Sequence, residues 1–279
     1  SSRITDHLGE RKLKALTALD IELFYTDLAE TGSRAGRPLS SKSVRNTHVV
    51  LRKALADAER LGLVTRNPAA SAKPPVVRRK EFRTWTADEV RRFFGEVAKD
   101  RLLAAYVMFA TTGMRRGEVL GLRWTDLDLG KAQLAVVHTL TTVDYRPVIS
   151  TPKTKRSRRV VYIDGVTVTY LEEHRRRQQI ERAAAGPDWC DEINLVFRDE
   201  FGRPLNPDWF SADFGRRVRS SSLPKIRLHD LRHTHATLAL KAGVHPKIVS
   251  ERLAHSAVAV TLDLYSHLTP AIARSAADS

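Results

Sequence analysis

The segment LHDLRHTHATLALKAG, residues 228–243, sets three histidines and an arginine among leucines at helical spacing and closes on a glycine. It reads as a helix that ends at a Gly243 turn. His229 and His233 lie four apart on one face, the spacing of the two zinc ligands in the H-E-x-x-H metalloprotease signature. That chemistry needs a glutamate directly after the first histidine, and Asp230, one methylene shorter, stands there. Arg232 would also hold a fixed cation next to a dication. A phosphate suits the segment better. Arg232 offers a planar fork of donors, and His229, three residues earlier, adds another from the same face. His233 and His235 read as packed, hydrogen-bonded histidines.

Half of an anion clamp implies a second half. TTGMRRGEVLGLRW (111–124) is the candidate: Gly113 breaks one helix and leaves Arg115 at the start of the next, with Glu118 at i+3 to orient it.

Working outward, the chain reads as mainly α with a small antiparallel β-sheet, an α+β arrangement. Residues 1–73 form a small helical bundle. Thr17 caps one helix, with Asp20 at the capping-box position and Gly32 as its stop; a second helix runs from about Ser41 to Leu61. KPPVVRRKEFR (73–83) combines a Pro-Pro pair with a basic run and no apolar periodicity, which places a linker at 74–83. Residues 84–279 then form a larger, mostly helical domain opened by the Thr86–Glu89 capping box. QLAVVHTL and RRVVYI are β-branched and flank the turn-rich, basic YRPVISTPKTKRS, so residues 132–163 predict two or three strands. Helices return at 166–184 and 207–220 and fill 229–275 in short pieces.

Of 279 residues, 42% are hydrophobic, enough for packed cores, and 47 Lys plus Arg face 32 Asp plus Glu, a net charge of +15. The excess is spread along the whole chain, which favours an extended polyanion as partner. Cys190 stands alone, so an internal disulfide and a thiolate zinc site are excluded. No apolar run approaches the ~20 residues that span a bilayer. A cytoplasmic, nucleoid-associated protein is expected.

TGMRRGEVLGLRW, PKTKRSRR, LHDLRHTHATLALKAG and ERLAHSAVAVTLDLYSHL, in this order and at these separations, resemble the tyrosine recombinases, the phage-type integrases. The likeness covers Phe82 to Leu268, and residues 13–68 resemble the family's core-binding domain more loosely. It implies that Arg115 and Arg232 hold the scissile phosphate of double-stranded DNA. It further implies that Lys153 protonates the leaving 5′ oxygen, that His229 and His255 complete the phosphate ligands, and that Tyr265 is the nucleophile. Glu118 would support the first arginine. A homotetramer on recombination sites, accessory or directionality factors, a Holliday junction and no cofactor follow from the same likeness.

The assignment makes chemical sense. A tyrosine hydroxyl, with a reference pKa of ~10, needs a cationic site that favours the phenolate and the developing phosphorane. Two guanidiniums, a lysine and two imidazoles provide one without a metal. The phosphotyrosyl bond conserves the energy of the cleaved phosphodiester, so religation requires no ATP. Lys155 competes with Lys153 for the turn position. One departure stands out: Ala254 replaces the glycine of the family's usual Leu-Gly-His-Ser. If that position takes a positive φ, alanine costs about 1 kcal/mol; if it only ends a helix, nothing is lost. TLALKAGVHPKIVSERL also has helix-turn-helix length, leaving a non-catalytic DNA-binding regulator as a second reading and a relaxing topoisomerase of similar chemistry as a third.

Overall fold

The computed structural model describes residues 2–32, 36–77, 82–151, 158–190 and 193–254. The described residues are mainly helical, with two small antiparallel sheets among them, and the chain divides into two compact units between Glu81 and Phe82. That division falls inside the basic 74–83 segment. Phe82 already belongs to the second unit, where its ring stacks on His233 at 4.2 Å.

The first unit holds α1 (Ser2–Leu8), α2 (Ala18–Thr31) and α3 (Ser41–Arg60). Thr17 and Asp20 form the capping box of α2, and Gly32 is its C-cap. Ile21, Phe24 and Leu28 pack against Val44, Leu51 and Leu55. Inside this small core the Tyr25 hydroxyl and His48 Nδ1 share a 2.7 Å hydrogen bond, so neither polar group is buried unsatisfied.

The second unit is built around α5 (Leu103–Thr112), which is apolar on nearly every side and correspondingly buried. Around it lie α4 (Ala87–Glu96), α6 (Arg116–Leu120), α7 (Gly165–Ala185) and α9 (Asp230–Lys241). α8 (Pro207–Ser220) adds Phe210 and Phe214 to an aromatic cluster with Trp85, Phe93 and Tyr106. α10 (Pro246–Leu253) follows α9 across Gly243. Among the described residues no helix is long and apolar enough to cross a membrane.

The strands exceed the expectation of a single sheet. β1 (Leu127–Asp128), β2 (Gln133–Val136) and β5 (Arg159–Tyr162) form one sheet in the order β1-β2-β5, with Val136 opposite Arg159. β3 (Thr139–Val143) and β4 (Arg146–Ser150) form a separate hairpin. The sequence predicts a turn-rich connection over 145–157, whereas Arg146–Ser150 is a strand. Two features hide it. Pro147 disfavours a strand but is tolerated in a two-stranded ribbon, and the hairpin turn places Asp144 and Tyr145 at positive φ without glycine. β3 packs on α6, where a side chain at Gly117 would come within 2.6 Å of the Leu140 carbonyl. This close approach sets the position of α6, and with it the helix start that carries Arg115.

Candidate active site

The polar centre of the second unit lies where α5 gives way to α6 and where α9 and α10 converge on that junction. α5 ends on Gly113 in the left-handed conformation, φ 63°, so the chain reverses and Arg115 becomes the N-cap of α6. Arg115 and Glu118 form a reciprocal pair: the Arg115 amide donates to Glu118 Oε2 at 2.9 Å and Nη1 donates to Oε1 at 2.8 Å.

Arg232 comes from the first turn of α9 and is only 4% exposed. Its Nη1 donates to the Gly113 carbonyl at 2.7 Å and its Nη2 to the Leu253 carbonyl at 2.5 Å. Among the described residues no carboxylate pairs with it. Burial, and then the nearby Arg115 charge, push its pKa down to about 9, so it remains cationic at neutral pH. A buried cation held by neutral carbonyls leaves charge for an incoming anion to compensate.

His229 stands immediately before α9 and is solvent-accessible. Partial desolvation and the charges of Arg232, Arg227 and Arg115 lower its pKa. Its ring meets His233 edge-on at 5.4 Å, and His233 is in turn stacked on Phe82. His235 faces the core, with Nδ1 3.2 Å from the Ala110 carbonyl.

α10 closes the site. Its C-cap, Ala254, adopts φ 49° and ψ 50°, so this position takes the strained, left-handed alternative. The Ala254 carbonyl accepts from Arg115 Nη2 at 2.9 Å. Leu253 and Ala254, on adjacent peptides, therefore receive one guanidinium each.

The phage integrase family profile matches residues 83–271, two thirds of the chain. The chain belongs to the phage integrase family. This integrase is 32% identical to the ICEBs1 integrase of Bacillus subtilis over 97% of its own length and 72% of that protein's. It is 29% identical to a XerC-like tyrosine recombinase of Caldanaerobacter subterraneus subsp. tengcongensis, over 93% and 69% of the two chains. Among solved structures, a Tn1549 transposon integrase in complex with transposon right end DNA superposes with a TM-score of 0.82 at 24% identity, covering 99% of this chain and 89% of that one. A lambda integrase dimer bound to a core site superposes with a TM-score of 0.66 at 18% identity.

Of the residues singled out in the sequence, Arg115, Glu118, His229 and Arg232 converge on one site in this integrase. Lys153, His255 and Tyr265 lie outside the described residues. Sequence reasoning missed Arg159, the first residue of β5. Its Nη2 donates to Glu118 Oε2 at 2.9 Å and its Nε to the Arg252 carbonyl at 2.7 Å. Burial alone would raise the Glu118 carboxyl, but hydrogen bonds and charge from Arg159 and the contacts from Arg115 hold it below the ordinary value. Arg159 closes the PKTKRSRR run, where its neighbours masked it as one basic loop residue among several. The β-branched pair that follows was its only signal.

Proposed function

We propose that this integrase binds double-stranded DNA and exchanges strands with Arg115 and Arg232 as the clamp on the scissile phosphate and Tyr265 as the nucleophile. The supporting observation is the placement of the two guanidiniums on neighbouring carbonyls at the end of α10, one of them buried with no carboxylate partner among the described residues. The Tyr265 hydroxyl gives up its proton to water as its oxygen attacks phosphorus, the bond to the 5′ oxygen breaks, and Lys153 delivers a proton to that leaving oxygen. His229 and His255 donate to the non-bridging oxygens, whose charge grows in the transition state. The product is a 3′-phosphotyrosyl link and a free 5′ hydroxyl. Attack by the 5′ hydroxyl of another strand reverses the steps and completes the exchange. In this reading residues 1–73 are the core-binding domain, four protomers assemble on two duplexes through a Holliday junction, and the protein works in the cytoplasm on the nucleoid.

The test uses a nicked duplex, in EDTA, carrying a site selected by binding from a randomised pool. After cleavage next to the nick, the short fragment diffuses away and traps the covalent complex. The expected result is a covalent band on a denaturing gel that maps to Tyr265 and is absent in Tyr265→Phe. Tight, site-selective binding by the wild-type protein with no adduct would overturn the assignment in favour of a non-catalytic DNA-binding protein.

A further inference from the structure

We propose that Arg159 is a positioning residue of strand cleavage, acting through Glu118 to aim Arg115. The inference rests on the proposed role of Arg115 as a phosphate ligand. At the end of α10, as at any helix C-terminus, the last carbonyls lack intrahelical partners and carry the helix's partial negative charge. Three successive carbonyls there are each taken by a different arginine: Arg252 by Arg159, Leu253 by Arg232, and Ala254 by Arg115. Two of these arginines are the clamp. The third is committed away from a phosphate, because Nη1 and Nη2 of Arg159 both donate to Glu118 while its Nε holds the Arg252 carbonyl.

Arg159 is itself firmly anchored. Its backbone lies in the β2–β5 ladder opposite Val136. The same strand is joined to α10 a second time, since Arg252 Nη2 donates to the Tyr162 carbonyl at 2.9 Å and to the Thr111 carbonyl at 3.1 Å. Glu118 is thus held between a fixed arginine and a movable one: Arg159 is clamped in the sheet, whereas the Arg115 side chain is 41% exposed. Both Glu118 oxygens accept from both arginines. Without Arg159 the carboxylate can rotate, and the Arg115 fork rotates with it. Misplacement by about 1 Å at a reacting centre costs on the order of 100-fold in rate.

The experiment measures single-turnover adduct formation on the nicked duplex, together with site affinity, for wild type, Arg159→Gln, Glu118→Gln and the double variant. Arg159→Gln is expected to cleave about 100-fold more slowly with affinity within about threefold of wild type. On the Glu118→Gln background the same change should cost no more than about threefold, because groups that act through one another are not additive. Cleavage by Arg159→Gln at the wild-type rate, or a full 100-fold loss on top of Glu118→Gln, would overturn the proposal. If Arg159→Gln fails to fold with Glu118 left half-paired, the double variant against Glu118→Gln alone decides the matter, since the double variant keeps neither the Glu118 carboxylate nor the Arg159 guanidinium to be left half-paired. Adduct formation by wild type in the same gel keeps the Tyr265 assignment a separate question: no wild-type adduct sinks that assignment, and wild-type adduct with an unaffected Arg159→Gln sinks only this one.

Discussion

Arg232 illustrates why a side chain's shape can matter as much as its charge. Its fork satisfies two carbonyls from different parts of the chain, Gly113 and Leu253, and leaves further N–H groups for an anion. A lysine there would keep the charge but could not span both carbonyls in the same plane while facing a phosphate. Arg232→Lys is therefore expected to lower the single-turnover cleavage rate by at least about 100-fold, in line with losing one preorganised oxyanion donor. Site affinity should change far less, because other basic groups carry most of the phosphate contacts. Cleavage within a few-fold of wild type would show that position 232 supplies charge alone.

At the scale of the element, the two left-handed helix ends that meet at the site respond oppositely to the same exchange of glycine and alanine. Ala254 sits at φ 49°, a conformation that disfavours an L-residue by about 1–2 kcal/mol, while its carbonyl is held by Arg115. Ala254→Gly relieves the strain without removing the acceptor. It should stabilise the protein by about 1 kcal/mol and raise its Tm by about 2–4 °C in a thermal melt. An unchanged Tm would mean that the site, not glycine's freedom, governs this turn. Gly113 offers no such room: a Cβ there would lie 2.5 Å from the Leu253 side chain and 2.7 Å from His235. Gly113→Ala should cost about 2–4 kcal/mol, read from the denaturation midpoint.

At the scale of the whole molecule, two imidazoles withdrawn from water, the buried His174 and the half-buried His235 whose Nε2 is enclosed, set the acid limit of stability. Burial pushes His174 and His235 down to about 4 from 6.5, with Arg101 and Arg252 adding to it respectively and hydrogen bonds to backbone carbonyls opposing it. Between pH 6.5 and 4 the unfolded chain binds these protons and the folded chain does not, so stability falls as the pH falls. The contribution is intact above 6.5 and is lost progressively toward 4. At ~1.4 kcal/mol for each pH unit between the folded and unfolded values, each ring accounts for up to about 3 kcal/mol. The carboxylates of Glu118, Asp213 and Asp230 are held below their usual values and act only lower on the scale, where they too lose stability on acidification. The Tm should therefore drop by at least about 5 °C between pH 7 and pH 5. A flat Tm across that interval would place the two rings in contact with water.

Local chemistry determined what the sequence could announce alone. The capping boxes at Thr17 and Thr86 and the stops at Gly32 and Gly113 depend on residues three or four apart, so the helices they bound were legible. The return of a helix at 207–220 was legible too, as were Arg115, His229 and Arg232 as donors at helix starts and Glu118 as the acceptor that orients Arg115. Tertiary structure alone decided what depends on distant partners. No local pattern shows that Arg146–Ser150 has β3 to pair with, because a strand's stability lies in its neighbour. The left-handed turn at Ala254 was open until α10 was seen to end there under a guanidinium. Arg159 looked like one charge in a basic run; its burial against Glu118, 41 residues away, is a property of the fold, since only packing removes water from one arginine and leaves it around the next.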